Sequence, residues 1–94
     1  MERPHYRKVL ERTGVLQVLA AFDPHAVGTP PLGRDLPTSD IDIVCFAPDP
    51  LAFARAVSNA FGLCPDFRIF QRIQPDRAVV AKFVHSDWMI EIFG

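Results

Sequence analysis

Cysteine is scarce in this chain. Cys45 and Cys64 stand far apart and outside any Cys-x-x-Cys setting, which argues against a zinc set or a disulfide framework and predicts buried or incidental thiols in a reducing compartment. His5, His25 and His85 are scattered without ligand spacing and read as surface or turn residues, unless the fold brings one beside Glu91. Glycine is also thin, at five residues. Neither Gly28 nor Gly33 has the following Lys-Ser/Thr or the glycine-rich spacing of a P-loop or dinucleotide fold. There is no charged-then-apolar leader and no apolar run near eighteen residues, so neither secretion nor a membrane partner is expected and the cytoplasm is the expected location. Charge of one sign is missing too. The formal net charge is −1 and the ten basic residues are dispersed, which disfavours a broad nucleic-acid surface while leaving room for a local triphosphate site. Eight of those ten are Arg, a bias that suits phosphate contacts and that a GC-rich genome would produce equally well.

Apolar residues, in contrast, are plentiful. At 94 residues and 49% hydrophobic, with eight Phe, the chain has length for one domain, residues 1–94. A chain of this size buries roughly 60–68% of its extended surface. Pro4, Tyr6, Val9, Leu10, Leu16, Leu19 and Ala20 predict two short helices or one bent one ending near Phe22, with Thr13 able to cap the second. A brief strand is expected over 25–28, then a structured loop through Pro30-Pro31 to Ser39. Asp49-Pro50 predicts a helix start and Gly62 its end, with Leu51, Phe53, Ala54, Val57, Ala60 and Phe61 as its apolar stripe. Imperfect alternation near Phe67 to Ile73, the β-branched stretch Arg77 to Val84, a Ser86-Asp87 turn and Trp88 to Phe93 complete a strand-rich second half. The pattern predicts an α+β fold with α/β layering, a mixed β-sheet of four to five strands with helices packed mainly on one face.

Two acidic features stand out from that frame. In LPTSDIDIVCF, Asp40 and Asp42 share one face of a strand while Ile41, Ile43 and Cys45 take the other. Their side chains, roughly 6–7 Å apart along the backbone, repel one another and can converge on a hard divalent cation. A turn ending at Ser39-Asp40 is the alternative, which explains Asp42 less well because apolar residues flank it. Glu91, between Ile90 and Ile92, is costly to bury unless paired, protonated or holding a metal. Arg77 or Lys82 on a neighbouring strand is a competing partner. Arg68, Arg72 and Arg77 alternate along the expected hairpin, where they meet phosphate or simply face water.

The order Val27-Gly28-Thr29, ten further residues, then Asp40-Ile41-Asp42-Ile43 resembles the signature of the nucleotidyltransferase superfamily with the polymerase-β-type core. Glu91 in MIEIFG matches its third carboxylate. More closely, GTPPLGRDLPTSDIDIVC with VVAKF and EIFG resembles the DUF4269 family, from the N-terminal helix to the last residue. Members of that family continue past EIFG with a further helical portion, so the resemblance implies a minimal core that is either a natural short form or a truncated one. It implies that Gly28 and Thr29 cradle the triphosphate; Arg34, which either stands in for the Arg that relatives carry nearby or faces water, and Ser39, in a loop that reads as a lid or phosphate rim, are the further nucleotide-binding candidates. It further implies that Asp40, Asp42 and Glu91 bind Mg²⁺ or Mn²⁺, and that Glu91 orients or deprotonates the acceptor. The chain departs from the pattern at Leu32-Gly33, where many relatives carry Arg before the Gly, at Thr38, where Gly is usual, and at Pro30-Pro31, which removes two N–H donors.

The expected activity is transfer of a nucleoside monophosphate from ATP or another nucleoside triphosphate to a hydroxyl or phosphate acceptor. A second copy, a partner chain or a C-terminal extension would supply acceptor surface. The competing readings are a non-catalytic nucleotide- or protein-binding module of the same fold and a phosphohydrolase using the same carboxylates.

Overall fold

The computed structural model describes residues 3–27 and 40–94. Gly28, Thr29, Arg34 and Ser39, with the loop and prolines between them, lie outside the described residues.

Helix α1 spans Tyr6–Thr13 and α2 spans Val15–Val18, followed by a 3₁₀ turn over Ala20–Phe22. The break between the two helices falls on Gly14, at φ 62°, which a residue without Cβ adopts at low cost. Thr13 supports the junction, its hydroxyl donating to the Val9 carbonyl at 2.9 Å and accepting from the Val15 N–H at 3.3 Å. The helix begins later than Pro4 suggests. His5 is its N-cap, with Nδ1 accepting from the Arg7 N–H. Pro4 instead offers its carbonyl to the Trp88 indole N–H at 2.7 Å, tying the N-terminal segment to the sheet.

Five strands form one mixed sheet: β1 His25–Val27, β2 Ile41–Val44, β3 Arg68–Arg72, β4 Ala78–His85 and β5 Trp88–Phe93, in the order β1-β2-β5-β4-β3. Only β2 and β5 run parallel; the other three pairings are antiparallel. Between β2 and β3 lies α3, Pro50–Phe61. Asp49 caps it by accepting from the N–H groups of Leu51 and Ala52, and Pro50 takes the first turn, where a missing N–H costs nothing. Gly62 does end α3, but in the right-handed region (φ −59°) rather than the left-handed one. A side chain there would collide with the Ser58 carbonyl. Ser86 and Asp87 both have positive φ, the geometry of a tight hairpin between β4 and β5.

Register explains the two faces. Ile41 pairs with Ile90, Ile43 with Ile92, Phe83 with Ile90 and Ala81 with Ile92, so one face of the three central strands is aliphatic and aromatic. Tyr6, Val9, Val15 and Leu19 from the N-terminal helices, with Phe53, Val57 and Phe61 from α3, bury against it. Phe61 stacks on Phe83 at 4.8 Å, and Phe22 meets Phe53 edge-on at 5.3 Å. The expected α3 stripe is narrower than its composition suggests: Leu51 and Ala60 are exposed. The helices contribute their core residues to this one face. The opposite face carries Asp42, Glu91 and Lys82, which follows from the period of two along each strand.

Candidate functional site

The parallel pairing of β2 with β5 builds the site. Asp42 and Glu91 are register partners across it, so two carboxylates distant in sequence occupy adjacent strands on the face opposite the one that the described helices cover. Asp40 precedes β2 by one residue and shares the parity of Asp42. The alternation is visible in burial, since Ile41 and Ile43 are buried while Asp42 between them is partly open.

The carboxylates act on each other. Burial raises the Asp42 pKa above the ordinary carboxylate value, and the charges of Glu91 and then Asp40 raise it further, while Lys82 opposes the shift. Lys82 belongs to the same row. It is the register partner of Glu91 in the antiparallel β4–β5 pair, and its ammonium lies 3.5 Å from Glu91 Oε1. Of the two competing partners for Glu91, the strand register selects Lys82, because Arg77 lies before the first residue of β4. None of the histidines joins the site. His5 caps α1, His25 bonds Asp23 at 3.0 Å, and His85 bonds Ser86 at 2.9 Å.

The described part of the expected site, Asp40, Asp42 and Glu91, is therefore gathered at neighbouring positions of one sheet face. Among the described residues, no three His, Cys, Asp or Glu side chains close on a single point as a ready-made metal cage, and Glu91 is engaged by Lys82. The donor chemistry still suits a hard cation. Carboxylate oxygens are the ligands Mg²⁺ and Mn²⁺ favour, and the Asp42 pKa is raised first by burial and then by the charges of Glu91 and Asp40, repulsion that such an ion would relieve. A groove of about 510 Å³ lies elsewhere, between α3 and β3, lined by Leu51, Ala54, Ile69 and Val79 among others. Lys82 is the participant that motif reasoning left in the background. Its signal was a lone cation in the apolar run AVVAKFVH, on the same parity as the carboxylate of the next strand.

Among the described residues the chain is a mixed five-stranded sheet with Asp42 and Glu91 paired on the face opposite the core helices. A solved chain described as "Structure and function of the polymerase core of TRAMP, a RNA surveillance complex" superposes with a TM-score of 0.56 at 20% identity. The match covers 92% of this chain and 30% of that one, a likeness of fold. The chain belongs to the family described as a domain of unknown function, DUF4269, which matches residues 8–94. Comparison with curated proteins finds no match. Among the described residues, no helix is long and apolar enough to cross a membrane.

Proposed function

We propose that this protein is a metal-dependent nucleotidyltransferase that moves a nucleoside monophosphate from a nucleoside triphosphate to a hydroxyl or phosphate acceptor. The observation that carries this reading is the β2–β5 register, which sets Asp42 beside Glu91 on the sheet face opposite the core helices, with Asp40 two residues away. In the proposed reaction an acceptor oxygen attacks the α-phosphorus, the bond to the β-phosphate oxygen breaks, pyrophosphate departs, and the acceptor proton passes to Glu91 or to water.

Asp40, Asp42 and Glu91 would hold Mg²⁺ or Mn²⁺, which when bound neutralises charge on the entering and leaving oxygens. Glu91 would leave Lys82 to do so, exchanging one cation for another. Gly28 and Thr29 are assigned to the β and γ phosphates by their place directly after β1, whose last residue, Val27, pairs with Asp42. Arg34 and Ser39 complete that assignment.

Incubation with each nucleoside triphosphate, Mg²⁺ or Mn²⁺ and a panel of acceptors should release pyrophosphate, and Asp42→Asn should abolish the release. Mn²⁺ binding followed by electron paramagnetic resonance should fall with the same substitution. Undiminished release by the variant refutes the mechanism. Failure of the wild-type chain to take up Mn²⁺ at millimolar concentration favours the non-catalytic module.

A further inference from the structure

The open face of the sheet is polarised from edge to edge. One row of register partners runs Val27, Asp42, Glu91, Lys82, Arg68, crossing all five strands. Two anions are followed by two cations. Neighbouring strands are about 4.8 Å apart, so the Arg68 backbone lies on the order of 10 Å from that of Glu91. The Arg68 side chain is exposed and makes no hydrogen bond or ion pair among the described residues. Lys82 holds Glu91 and lies 5.9 Å from the centre of the Phe70 ring. The next row, Val44, Phe93, Val80 and Phe70, forms an apolar floor beside these charges, with Phe70 46% exposed and Arg72 5.7 Å from the Phe93 ring.

Resting on the transferase reading, we infer that the acceptor carries an anionic group, a phosphomonoester or a carboxylate, received by Lys82 and Arg68. In-line displacement requires the acceptor oxygen to approach the α-phosphorus from the side opposite the departing pyrophosphate. On the proposal that the residues following β1 in sequence take the triphosphate, the acceptor approaches from the opposite edge, across β4 and β3. If Glu91 were to hold a metal instead of Lys82, the Lys82 ammonium would lose its counter-charge, and an anion on the acceptor would supply one. The spacing of the row sets the distance between the reacting hydroxyl and that anion at one to two strand separations, about 5–10 Å. Neutral and cationic polyols are poor acceptors on this arrangement, whereas a sugar phosphate or a hydroxy acid of that reach fits it.

The full chain, labelled with ¹⁵N and loaded with Mg²⁺, is titrated with inorganic phosphate while amide signals are followed. Shifts are expected at Arg68, Phe70 and Lys82. Lys82→Met and Arg68→Met should each weaken binding at least about tenfold, the loss of one charge-assisted hydrogen bond, while Lys82→Arg retains most of it. In pyrophosphate-release assays a sugar phosphate or a hydroxy acid should outperform the corresponding neutral sugar, and the better of the two names the anion. Phosphate binding that is absent, or unchanged by both Met variants, overturns this inference while leaving Mn²⁺ uptake, and so the transferase reading, intact. Absence of Mn²⁺ uptake overturns both.

Discussion

Asp42→Asn should make the protein more stable at neutral pH while removing its proposed activity. In the folded chain Asp42 faces Glu91 across one strand spacing, with Asp40 two residues away. Two unit charges about 5 Å apart repel by roughly 0.8 kcal/mol at the dielectric of water and about 3 kcal/mol at an effective value of 20. The partial exposure of Asp42 and the Lys82 ammonium 3.5 Å from Glu91 place the net penalty toward the lower figure, about 1 kcal/mol. That corresponds to a rise in Tm of about 4–8 °C for a domain of this size. The pH dependence follows from the direction of the shift. Asp42 titrates above its ordinary value of 3.8 when folded, so the penalty is absent where the group is protonated in both states. It opens as pH rises past that value and is complete above the raised folded pKa. Urea denaturation of the wild type and Asp42→Asn should therefore differ at pH 7 and converge near pH 3. A companion substitution, Glu91→Gln, removes a repulsion and an ion pair together and should change stability by less than about 0.5 kcal/mol. The double-mutant cycle should return a coupling of about 1 kcal/mol. Destabilisation by Asp42→Asn at pH 7, or a difference that persists at pH 3, refutes the crowding argument.

Gly94→Ala should be destabilising by about 1–3 kcal/mol, the range for overpacking, because an added Cβ would strike the Phe53 ring; thermal unfolding reads the loss. Gly14→Ala meets nothing within 4 Å but keeps φ at 62°, so its cost should be purely conformational, about 1 kcal/mol, and Gly14→Asn should recover part of it. Burial, with a smaller contribution from Asp23, pushes the Cys45 thiol up to about 11. Alkylation by iodoacetamide at pH 8 should therefore run about two orders of magnitude slower than for an ordinary thiol and accelerate on unfolding in urea. A fast reaction in the native state would show that the strand end is open.

Much of this architecture was legible because single strands announce their two faces. Asp40-Ile41-Asp42-Ile43 and Trp88 to Phe93 each alternate cleanly, and burial follows that alternation residue by residue. Ser86-Asp87 and Asp49-Pro50 carry turn and cap chemistry that depends on a few neighbouring residues. What sequence order does not contain is which strand lies beside which. The β2–β5 pairing and the choice of Lys82 over Arg77 are decided by register across strands, a property of the assembled sheet. The helix ends were partly hidden for a similar reason. Pro4 suggested a start, yet its carbonyl is taken by Trp88 from the other end of the chain. Leu51 looked like core and is 60% exposed because α3 buries the Phe53, Val57 and Phe61 stripe instead.

The crossover between β2 and β5 contains α3, β3 and β4. A hairpin such as β4–β5 can zip locally, but the parallel seam must wait until that long intervening loop is closed, the slowest kind of contact to form. The acidic pair is therefore expected to assemble late in folding, which the order of protection in pulse-labelled hydrogen exchange would check. Partly folded chains and fragments ending before Trp88 would lack the Asp42–Glu91 pair, so on the proposed function a pyrophosphate-release assay would double as a report that the last strand has docked.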